Sequence, residues 1–402
     1  MLISTALVML MTPALAFFYG GMVRKKNVLS TIMMSFVMLA LISILWILYG
    51  YSISFGPDGN RFIGSLEWIG LINVGQDPSA IYATTVPHLV FMMFQATFAI
   101  ITVALWTGAI VERIKFSALI ILALVWFTVV YCPIAHWVWG SGGWLKNMGV
   151  LDFAGGSVVH ISSGVSALVC ALMLGRRKGY PAEPLPPHNM TFVLLGASLL
   201  WFGWFGFNAG SALAANELAV SAFLVTNTSA AVAALTWMAI EWITAGKPTV
   251  LGGATGAVAG LATITPASGF VSVGSAVLIG LAAGAICYAA VVLIKQKFTY
   301  DDSLDAFGVH GIGGITGMLA TGLLAQKALN PAGGNGLFFG NAEGLFGAQA
   351  LAVGAVVVFS IVMTFGLLKL IDAVLGLRVN EEEELIGLDH TQHRESAYTL
   401  LD

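Results

Sequence analysis

Hydrophobic positions in this chain run in long unbroken stretches. They do not alternate as in half-buried strands. Stretches free of Lys, Arg, Asp and Glu cover 1–23, 27–57, 78–111, 116–145, 153–175, 184–216, 218–240, 248–294, 306–326 and 344–368. A helix crossing a bilayer needs about 20 such residues. The run 248–294 would be about 70 Å long as one helix, more than twice the hydrocarbon core. It must fold back, and Thr265-Pro266-Ala267-Ser268-Gly269 is the breaker cluster. The pattern predicts an all-α integral membrane protein with eleven transmembrane helices.

Composition narrows the class. Of 402 residues, 58% are hydrophobic and 9% charged, against about a quarter charged in soluble domains. Mean hydropathy is +0.90. These values exclude a cytosolic enzyme and a disordered chain, and a net charge of −3 gives no field for nucleic acid. Cys132, Cys170 and Cys287 each stand alone in an apolar run, with no metal or disulfide spacing.

An odd number of helices puts the two termini on opposite sides. With the amino terminus outside, 14 of the 17 Lys and Arg residues fall on the inner side; Arg61, Lys146 and Lys327 fall outside. That excess predicts N-out, C-in in the cell membrane. Residues 1–15 read as a retained first helix, because the basic cluster at 24–26 follows the apolar stretch instead of preceding it. The membrane domain is 1–373, with helices 1–5 over about 1–175, helices 6–10 over about 184–326 and helix 11 over about 344–373. Residues 374–402 form a polar tail.

Two spans stand apart. The fifth opens at Asp152 and carries His160; the tenth opens at Asp305 and carries His310. Five is odd, so the halves of a 5 + 5 arrangement face opposite ways. This is the trace of an inverted repeat, which places a substrate path near the midplane. Ionisable residues inside a membrane mark such paths. Two neutral imidazoles can hydrogen-bond each other, one as donor and one as acceptor, and pass a small neutral polar molecule. His88 and His136 fall near outer helix ends, and His188, His390 and His393 in polar segments. Asp152 reads first as a helix cap and second as an outer attractor for cations; Asp305 reads as structural. Glycines at small-xxx-small spacing, such as Gly156–His160–Gly164 and Gly252–Gly256–Gly260, read as helix-packing faces.

Aromatic residues cluster near the same helices: Phe94 and Phe98, His136-Trp137-Val138-Trp139, and Trp201 to Phe207 before Ser211. Interfacial belts account for many such residues; aromatic faces beside a hydroxyl also bind ammonium-type cations.

Several segments together resemble the ammonium transporter, methylammonium permease and Rhesus group, nearest its microbial ammonium transporters. They are Phe17-Phe-Tyr-Gly-Gly21, Asp152-Phe-Ala-Gly-Gly156 with Val-Val-His160, Gly203-Trp-Phe-Gly-Phe-Asn-Ala-Gly-Ser211, Phe307-Gly-Val-His310-Gly311, and the tail's Gly376-Leu-Arg-Val379 with Gly387-Leu-Asp389. The likeness spans the whole chain. It implies ammonium and ammonia uptake without enzymatic chemistry or cofactor, and methylammonium as an analogue. It implies an outer site of Phe94, Phe98, Trp139 and Ser211, with Asp152 as the outer acidic residue. It also implies a Phe98–Phe207 gate and a His160–His310 pore. A homotrimer is implied, as is a PII-type nitrogen-signalling protein at the inner face. The segment from Trp139 to Asp152 is one residue longer than the group's usual pattern, and Trp137 stands close by. The rivals are an ammonium sensor on the same fold, a Rhesus-type gas channel and a membrane haem enzyme.

The tail carries two arginines against seven acidic residues, a net charge of −5. Its Leu385, Ile386, Leu388 and Tyr398 interrupt the charge. The expectation is a docked regulatory segment meeting the basic loops at Arg176-Arg177-Lys178 and Lys295.

Overall fold

The structure, a computed structural model, describes residues 1–57, 59–340 and 344–398. Among them, ten helices are long and apolar enough to cross a bilayer. They are α1 (Leu2–Met22), α2 (Lys25–Phe55), α3 (His88–Thr107), α4 (Phe116–Asn147), α5 (Gly156–Leu174), α6 (Met190–Gly210), α7 (Glu217–Ala245), α9 (Val273–Phe298), α10 (Phe307–Leu324) and α11 (Leu345–Leu375). The shorter apolar helix α8 (Val250–Ile264) lies between α7 and α9. The long run therefore splits where expected, with turns over 265–270.

The run 78–111 is not helical throughout. Residues Pro78–Ser79 and Ala83–Pro87 form a short antiparallel ribbon, and α3 starts only at His88. Thr84, Thr85 and Val86 favour extended backbone, and Pro87 holds its predecessor out of the helical region.

The first helices of the two halves pack together, and so do the last. Gly196, Gly203 and Gly206 form the α6 face toward α1; a Cβ at Gly196 would lie 2.3 Å from the Phe18 amide nitrogen. The crossing of α5 and α10 is tighter. A Cβ at Gly164 would lie 2.0 Å from the Gly311 nitrogen, and one at Gly314 would lie 2.8 Å from the Gly156 carbonyl oxygen. Each glycine stands four residues after its helix's histidine. Backbones this close need residues without side chains.

Both helices open with a π-helical turn, Gly156–Ile161 and Phe307–Gly311, and each turn contains the histidine. The wider turn re-aims one side chain and is frequent at functional sites. The matching acid is not Asp305. Asp152 accepts from the amides of Gly155, Gly156 and Ser157 at 2.6–2.7 Å. At α10 the same task falls to Asp302, which accepts from Ala306 and Phe307 at 3.2 and 2.8 Å. Asp152 precedes His160 by the same interval that separates Asp302 from His310. Asp305 instead forms an ion pair with Lys295 at 2.6 Å.

Beyond α11 the chain makes two short helices, α12 (Glu381–Ile386) and α13 (Leu388–His393). A capping box of Asn380 and Glu383 starts α12. Residues 399–402 of the tail lie outside the described residues.

Candidate functional site

At the end of the molecule where α5 begins lies a vestibule of about 200 Å³. Phe98, Trp139, Ser211 and Asp152 line it, with Tyr82 and Lys146. Trp139 is held there by its indole N–H, which donates to the Asp152 carbonyl at 2.9 Å. The Ser211 hydroxyl donates to Phe207 O at 2.9 Å, which leaves its lone pairs free. Trp137 points elsewhere: it donates to Phe62 O and packs on Trp144 and Phe359. Phe94 is fully buried and absent from the lining. It supports Phe98 from behind, with ring centroids 4.9 Å apart. The Asp152 carboxylate is engaged by backbone donors. As a cap it also holds the ring of Trp139 through its carbonyl.

Sequence reasoning missed Gln95, Tyr82 and Lys146 in this lining. Gln95 Oε1 is buried without a protein partner. It stands one residue from Phe94, so the helix that supplies the aromatics also supplies this acceptor. Tyr82 comes from the turn of the short ribbon and Lys146 from the last helical turn of α4, Trp144–Asn147, and no periodicity marks either.

Below the vestibule four rings form a column. Phe98 stacks on Phe207 with centroids 4.2 Å apart and planes at 29°. Phe207 lies 6.1 Å from His160, and His160 lies 5.2 Å from His310 with planes at 16°. Trp204 flanks His160 at 5.5 Å and is fixed by a 2.9 Å bond from its indole N–H to Thr265 Oγ1. The two phenylalanines seal the column, each about 1% exposed. The cavity beside the histidines is lined otherwise by apolar groups such as Leu15, Ile101 and Val258. Its free volume is about 10 Å³, room for roughly one water-sized molecule.

The expected hydrogen bond between the histidines is not formed. Their rings lie nearly parallel, and both nitrogens of His160 and Nδ1 of His310 are buried with no protein partner. Unpaired buried polar atoms are costly, and both histidines line an otherwise largely apolar cavity. They can donate to or accept from a small molecule passing by.

Comparison with known proteins shows the family of the whole chain. The model of the Ammonium Transporter Family matches residues 1–398. The chain belongs to that family. An ammonium transporter of Bacillus subtilis is 53% identical over 392 residues, 98% of this chain and 96% of that protein. The crystal structure of Saccharomyces cerevisiae Mep2 superposes with a TM-score of 0.86 at 38% identity, covering 94% of this chain and 86% of Mep2. A sensor Amt protein superposes with a TM-score of 0.88 at 30% identity, covering 97% of this chain and 96% of that one. This chain is thus a multi-pass membrane protein of the ammonium transporter family.

The opposite end of this family member is built from charges. Glu112 is buried between Arg24 at 2.7 Å and Arg177 at 3.4 Å, and Arg177 also pairs with Asp301 at 2.9 Å. Burial pushes the Glu112 carboxyl up, but Arg177 and Arg24 more than reverse this and hold it below the usual range. Asp301 follows the same balance through Arg177 and Arg113. Asp302 goes the other way: burial raises it to about 6, and the nearby Lys295 only partly opposes this.

The tail is docked on this end. Val379 N–H donates to Arg113 O and Lys115 N–H to Leu377 O. Arg378 binds Leu174 O, Arg176 O and the buried Glu384. Asp389 caps α2 at the Ser30 amide, and Leu388 is fully buried. Leu385 and Ile386 remain exposed. Lys295 was expected to meet the tail; it pairs with Asp305 instead.

Proposed function

We propose that this protein conducts ammonium nitrogen across the cell membrane by capturing ammonium in the vestibule and passing ammonia along the ring column. The observation that carries this is the unbroken line Phe98–Phe207–His160–His310 leading from an aromatic vestibule into a narrow apolar cavity. Ammonium rests against the faces of Trp139 and Phe98, which attract cations, and donates to the Ser211 oxygen. The sealed phenylalanine pair penalises a desolvated charge far more than a neutral molecule. Ammonium therefore gives up a proton at the gate: one N–H bond breaks, and ammonia keeps the electron pair. Ammonia then enters the cavity, where the free histidine nitrogens replace hydrogen bonds it had in water, and it takes a proton on leaving. The released proton either returns to the vestibule side or travels along the histidine pair. Charge movement distinguishes these routes.

The reading extends to eleven crossings with the amino terminus outside and the tail inside, which the excess of Lys and Arg on the tail side supports. It extends to a homotrimer, for which the exposed apolar side chains of α7, including Leu235 and Ile243, offer a face. It also extends to a regulatory tail that assists a PII-type partner, supported by the tail's docking on the loops.

The test is reconstitution. Proteoliposomes given an ammonium pulse should show saturable uptake with an internal pH change. Phe207→Ala should change transport or admit water. Parent-like transport and water permeability in that variant would remove Phe207 from the gate. A second reading, an ammonium sensor, is favoured by the likeness to a sensor Amt protein. It predicts ammonium binding with negligible uptake.

A further inference from the structure

The vestibule contains a cation of its own. Lys146 lies in the helical turn Trp144–Asn147. Its Nζ donates to the Trp139 carbonyl at 2.9 Å and sits over the Tyr82 ring, 5.6 Å from the centroid. Tyr82 is itself fixed, donating to Phe55 O at 2.8 Å and accepting from the Ser141 amide at 2.7 Å. An aromatic face and a carbonyl oxygen hold the lysine head by the same attractions that hold free ammonium: cation–π and N–H···O=C. Chemically the head is a primary alkylammonium, a tethered relative of methylammonium. Two of the lining residues carry formal charge. Asp152 is 7% exposed, with its carboxylate engaged by backbone amides, whereas Lys146 faces solvent.

We propose that Lys146 is a built-in competitor: its ammonium group occupies a Tyr82–Trp139 carbonyl subsite and weakens the binding of free ammonium in the vestibule. The inference rests on the reading of the vestibule as the capture site. Lys146 keeps the mouth from saturating at low ammonium, so the transporter stays responsive at higher concentration. Two like charges about 8 Å apart in a water-like medium shift an equilibrium about two- to threefold, and more in less polar surroundings.

The experiment compares the parent with Lys146→Met, Lys146→Gln and Lys146→Arg in proteoliposomes, with initial rates taken over a range of ammonium concentration at low and high sodium chloride. Lys146→Met and Lys146→Gln should lower the half-saturating concentration at low salt by about three- to tenfold, with little change in maximal rate. High salt should shrink that difference, because the Debye length falls to about 3 Å at 1 M. Lys146→Arg, which keeps the charge, should shift the half-saturating concentration less than the Met and Gln variants do. Unchanged half-saturation in the Met and Gln variants would overturn the proposal. So would a fall in maximal rate alone, the mark of a mere loop anchor. If the variants misfold, the parent decides: added salt should lower its half-saturating concentration, and a rise or no change contradicts the proposal. If the parent folds but gives no uptake, the transport reading fails separately. Lys146 is then tested by ammonium-dependent thermal stabilisation, which should begin at lower ammonium in the Met variant.

Discussion

Helices α5 and α10 share one plan, yet their ends differ. Each has an acid capping a π-helical turn, a histidine within the turn and a glycine four residues later at the crossing. Around Asp152 the neighbours are aromatic, and the vestibule is open. Around Asp302 they are ionic, with Lys295 and Asp305 beside it and the Arg177–Asp301 and Glu112 cluster nearby. The shared plan builds the column; its two ends differ, one aromatic and open, the other ionic and covered by the tail.

The largest effect is expected at the crossing. Gly164→Ala places its Cβ against the Gly311 backbone and should destabilise by about 3 kcal/mol or more. Gly314→Ala meets its neighbours less closely and should cost less. Thermal unfolding in detergent measures both. Equal stability of parent and Gly164→Ala would mean the helices do not cross this tightly.

Much of the fold is legible in the sequence because charge-free runs map directly onto spans. The break at Thr265-Pro266 is legible too, because a 47-residue run cannot remain one helix in a bilayer. The π-helical turns are not legible: a shift from i−4 to i−5 bonding leaves no mark on hydropathy. The Asp302 pairing was available in the repeated spacing to histidine, but Asp305 stands nearer the apolar run and reads as the start of the span. The histidines declare themselves as ionisable groups in apolar helices. Lys146 does not, since in one dimension it is only another loop charge.

The acid caps come next. Asp152→Ala leaves the amides of Gly155, Gly156 and Ser157 without their acceptor, at about 1–3 kcal/mol for each buried donor. Asp302→Ala strands two amides and should cost less. A reversed order in the same unfolding assay would break the comparison of the two ends.

The acids of the charged end then separate by pH. Asp302 is raised to about 6 from an ordinary 3.8, so the folded state favours its proton. Its contribution is full below about pH 4 and is lost as pH rises through 6. Asp302→Asn should flatten that part of the stability profile. Glu112 and Asp301 have lowered values, so their contribution is present above pH 4.5 and lost as pH falls through their folded values. Acid should therefore weaken the Glu112 and Asp301 contacts of this end, read as faster proteolysis of the tail at low pH. The smallest effect belongs to the exposed Lys178–Glu381 pair: Glu381→Gln should change stability by less than about 1 kcal/mol.

The central claim is that His160 and His310 line one path for ammonia. The most direct measurement is simultaneous current and internal-pH recording on proteoliposomes after ammonium or potassium pulses, for the parent, His160→Ala and His310→Ala. The account predicts saturable ammonium uptake and potassium exclusion in the parent, with rate or ion selectivity altered in both variants. Unchanged ammonium flux together with unchanged potassium exclusion in both would contradict it.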